Sequence, residues 1–282
     1  MSDARVIDWI GREETQQGRV DPALAAMLAA TLPGRMLPPA PGAVVPPLWH
    51  WIGFPPTTPT EDLGPEGHPK LGGFMPPVRL PRRMWASGDL TFHRPLHVGE
   101  RLTRHARIAD VAEKAGAAGP MVFVTVAYDI AGEDGLAIEE RQNIVYLEMP
   151  ESFRPPKPVP VPPAPLAERI VDVDAPLLFR FSAVTFNAHR IHYDHAYARE
   201  VEKYPDLVVH GPLQAMLLAG LAADHRGTPP ARFAYRGVHP MFNGAPLRVL
   251  VAEDAGAAMT LCTAKGEETQ GMQANATWED RT

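Results

Sequence analysis

The stretch PPKPVPVPPAP, Pro155–Pro165, sets seven prolines in eleven residues near the middle of a 282-residue chain. Proline lacks a backbone N–H and fixes φ, so this run can neither continue a helix nor join a sheet ladder. It reads as a semi-rigid polyproline II connector. It divides the chain into residues 1–150 and 166–282, each of single-domain size, with 151–165 between them.

The two halves repeat one order of elements. Asp21–Leu32 opens with a capping Asp and a Pro at the first helical position, which predicts a helix. Two strand-rich stretches follow, Gly88–Ala109 and Met121–Leu147, the second folded back at the turn GEDG. In the second half Leu178–Thr185 reads as a strand and Gly211–Ala223 as an apolar helix. Arg232–His239, Pro246–Glu253, Met259–Lys265 and Met272–Glu279 then read as successive strands. A long apolar helix followed by antiparallel strands predicts an α+β unit in which a sheet wraps one buried helix. Two units in tandem make a pseudo-dimer within one chain. The Pro- and Gly-rich stretch Pro33–Pro81, with Trp49, Trp51, Phe54 and Phe74, suits either a pinned loop or a cover over substrate.

Composition excludes several classes. A hydrophobic content of 45% suffices for a full core. No apolar run is long enough to span a membrane. The N-terminus lacks the order of a signal peptide, so a cytoplasmic protein is expected. Net charge is −6 with both signs interspersed, which argues against nucleic acid as a partner. The lone Cys262 lies in an apolar alternation and reads as a buried strand residue.

The chemistry concentrates in Phe181–Ala198, where Asn187, His189, His192, Asp194 and His195 fall within nine residues. Histidine is the usual proton-transfer group near neutral pH when a polar partner fixes its tautomer. His189, His192 and His195 recur every third residue, but such steps drift around a helix and do not converge on a metal, so none is expected. Asp194 suits either a catalytic partner or a helix N-cap. Gly211-Pro212 then opens the apolar helix. The first N–H groups of a helix are unpaired, and a residue without a side chain lets a ligand approach them. The Gly211 N–H can therefore stabilise the oxygen of a thioester enolate, or Gly-Pro simply begins a core helix.

On these residues the chain resembles the MaoC-like, or hydratase-2, branch of the hot-dog superfamily in its double form. That family's signature, Asp-x-Asn-Pro-(Ile/Leu)-His-x-Asp, lays its His on His192 and its final Asp on Asp194. Its Asn-Pro pair falls on His189-Arg190, and its first Asp falls on Asn187. The wording FNAHRIHYD resembles a subgroup that includes mitochondrial 3-hydroxyacyl-thioester dehydratases and bacterial mesaconyl-C4-CoA hydratases. LPRRMWASGDLTFHRPLHVG, Leu80–Gly99, and the HGP of His210–Pro212 add to the likeness.

The resemblance implies a degenerate N-terminal hot-dog domain over 1–150 and a catalytic one over 166–282. It implies an acyl-CoA substrate, reversible hydration of an α,β-unsaturated acyl thioester, and no cofactor. His192 is then the proton-transfer group, with Asn187 orienting water through its amide oxygen where the family has a carboxylate. Arg82, Arg83 and Arg190 are candidates for the anionic handle of CoA or acyl carrier protein, with His210, Arg236 and His239 as further contacts. The subgroup implies a short branched dicarboxylyl-CoA, mesaconyl-C4-CoA or itaconyl-CoA, giving citramalyl-CoA; an arginine near the acyl end suits its free carboxylate. The alternatives are a 3-hydroxyacyl-CoA/ACP dehydratase of fatty-acid type, a hot-dog thioesterase, and a non-catalytic acyl-CoA-binding module. A monomer suffices for a double hot-dog, and a homo-oligomer is left open.

Overall fold

A computed structural model describes residues 5–34, 36–116 and 119–278. Ten strands form one antiparallel sheet in the order β1-β3-β4-β5-β2-β7-β10-β9-β8-β6. The first five are β1 (Glu13–Gly18), β2 (Arg82–Phe92), β3 (Leu102–Gly116), β4 (Gly119–Gly132) and β5 (Gly135–Leu147). The last five are β6 (Ala167–Val171), β7 (Arg232–Gly237), β8 (Leu247–Asp254), β9 (Ala258–Lys265) and β10 (Thr269–Thr277). The halves join where β2 pairs β7, from Ser87 opposite Arg236 to Thr91 opposite Arg232. Glu279, the expected end of the last strand, lies outside the described residues.

Among the described residues there are four α-helices, α1 (Pro22–Thr31), α2 (Ala175–Val184), α3 (His195–Glu200) and α4 (Gly211–Arg226), of which α4 packs on the strands β7 to β10. Asp21 caps α1 by accepting from the Ala23 N–H. Helix α4 buries Leu213, Ala215, Met216, Leu217 and Leu218 among others, because β7 to β10 wrap it on one side and α2 and the first half close the other. A second cluster, around Val124, Val126, Ile144 and Tyr146, is covered by Phe74, Met75 and Leu80 of the irregular stretch.

Leu178–Thr185 is not a strand. Asp174 accepts from the Leu177 N–H, Pro176 occupies the first turn, and Leu177, Leu178, Phe181 and Val184 bury one helical stripe. That helical spacing outweighs the β propensity of the Phe and Val residues. The proline run lies extended without helix or strand. It is tied to the start of β10 where the Gln270 N–H donates to the Val159 carbonyl and Gln270 Nε2 to that of Pro160. Its Val161 packs on Leu250, Cys262 and Ala264. Cys262 is buried on β9, and burial pushes its thiol up to about 11, far from a nucleophile's range. Among the described residues no helix is long and apolar enough to cross a membrane.

Candidate active site

The segment between α2 and α3 is short and bent, and it brings Asn187, His189, Ile191 and His192 to the wall of a large cavity of about 1530 Å³ between the two halves. Asn187 accepts the His189 N–H through Oδ1 at 3.0 Å, a local turn that fixes the segment's start. Asp194 caps α3 by accepting from the Tyr197 N–H at 3.0 Å and ion-pairs with Arg190 at 2.7 Å. Of the two readings of Asp194, the geometry is that of a cap.

His192 is 7% exposed and lines the cavity. Its Nδ1 lies 2.8 Å from the Val208 carbonyl. A carbonyl only accepts, so Nδ1 carries the proton and Nε2 is left as the free acceptor. Burial lowers the pKa of His192 to about 3; nearby His189 adds to this, and the Val208 bond opposes it. The imidazole is therefore neutral at physiological pH, the form that can take a proton.

Three further histidines pack around it. His210 stacks on His192 with ring centroids 3.7 Å apart, is wholly buried, and bonds Ser182 Oγ through Nε2 at 2.8 Å. His189 meets His192 edge-on and pairs Nε2 with Glu202 Oε1 at 3.1 Å. His68 comes from the irregular stretch, with its ring 4.4 Å from that of His189. Burial, and then the charge of Arg83, hold His68 well below the usual histidine value. His68 arrives there because residues 64–68 clamp the segment that carries His189 and His192: the Arg190 N–H donates to the Glu66 carbonyl, and Arg190 Nη1 to that of Pro65. Gly67, at φ +100°, packs so closely on the Ala188 carbonyl that a Cβ would lie 1.8 Å from its oxygen.

Gly211 begins α4 and lines the same cavity. As the first helical residue it has an N–H without an intrahelical partner. A Cβ there would lie 2.7 Å from the ring of Trp85, which stacks on Tyr235. The glycine is thus required by packing as well as open to a ligand.

The remaining expected contacts divide. Arg82 and Arg83 line the cavity, Arg82 tied to Glu202 at 3.4 Å and Arg83 over the Tyr146 ring. Arg190, His210 and Arg236 do not line it. Arg190 is held by Asp194 and stacks over Tyr197, His210 lies behind His192, and Arg236 is exposed and bonds Gln273. His239 lines the cavity, and His195 is exposed 3.8 Å from Asp206.

A smaller cavity of about 200 Å³ adjoins the large one, with Asn187, Trp85, Arg104, Tyr128, Gln142 and Pro212 lining both. Within it Glu140, 3% exposed, accepts from Trp51 Nε1 at 2.9 Å and Gln142 Nε2 at 2.7 Å and meets His50 Nε2 at 3.1 Å. Sequence reading missed His68, Arg104, Glu140 and Glu202. Glu140 and Gln142 left a signal: they fall on the inward positions of an alternation running from Ile138 to Ile144, Glu140 buried and Gln142 half-buried, where a core strand should be apolar. His68 left none, since only the fold brings it near His189.

The model of hydroxyacyl-thioester dehydratase type 2 matches residues 48–243. The chain belongs to this family. It is 47% identical over 251 residues to a mesaconyl-C(4)-CoA hydratase of Chloroflexus aurantiacus, covering 89% of this chain and 90% of that protein. A MaoC-like dehydratase superposes with a TM-score of 0.68 at 16% identity, over 96% of this chain and 98% of the other. A Mycobacterium tuberculosis protein described as a double hotdog gives 0.57 at 13% identity, over 95% and 96%. The fold is a double hot-dog, and the chain is a hydro-lyase of the type 2 hydroxyacyl-thioester dehydratase family.

Proposed function

We propose that this enzyme reversibly hydrates a short branched dicarboxylyl-CoA, with mesaconyl-C4-CoA to citramalyl-CoA as the first candidate. The observation that carries the proposal is the neutral His192, its Nδ1 committed to Val208 and its Nε2 free, in one cavity with the unpaired N–H end of α4. His192 Nε2 takes a proton from water as the water oxygen bonds to the β-carbon. The electron pair of the double bond moves to the thioester oxygen, where the Gly211 N–H holds the enolate. His192 then returns the proton to the α-carbon. Asn187 orients the water through its amide oxygen. Arg82 and Arg83 face the CoA moiety, where phosphates suit their planar donors.

The substrate choice draws on the likeness to the Chloroflexus hydratase and on the small size of the inner cavity, about 200 Å³. The reading asks for no redox cofactor or metal, and a cytoplasmic location and a monomer or homo-oligomer belong to the same proposal. The family model favours a second reading, a 3-hydroxyacyl-thioester dehydratase. A panel of enoyl-CoA thioesters, followed by the loss of enoyl-thioester absorbance, separates the two. The proposal expects turnover of branched dicarboxylyl substrates; turnover of straight long chains alone overturns it.

A further inference from the structure

The inner cavity holds a cation that the catalytic segment does not use. Arg104 lies on β3, its guanidinium 4.8 Å from the Phe54 ring and 5.3 Å from that of Tyr128, and one terminal nitrogen donates to Gln16 Oε1 at 2.6 Å. It has no ion pair among the described residues, and its Nε is buried without a hydrogen-bond partner. Arg82, by contrast, is tied to Glu202. A half-buried guanidinium with an unused donor is costly unless an anion completes it.

The nearby acids do not complete it. Glu140 is engaged by His50, Trp51 and Gln142, and Glu14 is an exposed residue on the wall of the outer cavity. The place of Arg104 matches the geometry of the proposed substrate. Asn187 and Pro212 line the inner cavity together with Arg104, so, on the proposed mechanism with the thioester oxygen at Gly211 and the β-carbon near His192 and Asn187, the inner cavity is the space open to what the β-carbon carries. In mesaconyl-C4-CoA the β-carbon carries a methyl group and a carboxylate.

We propose that Arg104 is a specificity residue that binds the free carboxylate of the acyl group through its planar fork, with Gln142 beside it. Phe54 and Tyr128 hold the guanidinium in place, which limits the entropy lost on binding. The proposal rests on the hydratase reading but is tested by binding alone. Calorimetry compares succinyl-CoA, a charged thioester that cannot be hydrated, with butyryl-CoA, its neutral four-carbon counterpart.

The unaltered protein is expected to bind succinyl-CoA about tenfold or more tightly than butyryl-CoA, the worth of one charge-assisted pair. Arg104→Gln should bring that ratio close to one, and Arg104→Lys, which keeps the charge and most of the packing, should fall between. No preference in the unaltered protein, an unchanged ratio in Arg104→Gln, or an equal loss of both ligands in both variants overturns the assignment. The hydratase reading fails separately, by absence of water addition to any enoyl-CoA while the affinity ratio stands.

Discussion

The imidazole of His192 lies on that of His210, ring centroids 3.7 Å apart and planes within 19°. Both rings are buried, and burial is the main reason that each resists carrying charge; His189 adds to this at His192, and His192 and then His189 add to it at His210. The stack fixes the His192 ring while Val208 fixes its tautomer, so the one basic nitrogen is held in place before substrate arrives. His192→Ala should therefore lower kcat by about a thousandfold, the usual scale of a positioned proton-transfer group, while butyryl-CoA still binds. Steady-state kinetics with calorimetry checks it.

The pH response follows from the same burial. A histidine whose folded pKa is lowered binds its proton more weakly folded than unfolded. The unfolded chain then holds more protons between the two values, and stability rises with pH across that window. For His192 the window runs from about 3 to its ordinary value near 6.5, and His210 and His68 are shifted in the same direction. The melting temperature should hold steady above about pH 6.5 and fall progressively below it. His192→Asn should flatten part of that fall, as followed by circular dichroism across pH.

Asn187 does two things with one amide, accepting the His189 N–H and facing the cavity. Asn187→Asp keeps the acceptor and should melt close to the unaltered protein. Asn187→Ala loses it along with the water contact, and kcat should fall by about ten- to a hundredfold. Rates and melting curves on the two variants separate the effects.

The clamp of residues 64–68 on the His192 segment depends on Gly67. Gly67→Ala puts a Cβ into the Ala188 carbonyl and forces φ +100° on a side-chain residue. It should cost about 1–3 kcal/mol of stability and lower kcat/KM by displacing His68 from His189. Denaturant titration measures the first and kinetics the second.

What was legible in the sequence had local causes. Helices α1 and α4 and the GEDG hairpin carry their own caps and turn residues, and the His192 segment carries its chemistry in nine consecutive positions. Strand β1, EETQQG, was invisible because it is polar and mostly exposed and exists only by pairing with β3. Helix α2 was misread because Phe and Val weigh towards strand, although the Asp174 cap and Pro176 were there to be read. Arg190 looked like a free cation, yet its acid stands four residues on, at Asp194. Arg104 gained meaning only when β3 was set on the wall of a cavity that Asn187 also lines.

The central claim is that His192 adds water across the double bond and leaves the thioester whole. Mass spectrometry of mesaconyl-C4-CoA incubated with the unaltered enzyme and with His192→Ala tests it most directly. The account predicts a product heavier by one water with CoA still attached, formed by the unaltered enzyme and nearly absent with the variant. Free CoA beside an unhydrated acid, or equal water addition by both proteins, would contradict it.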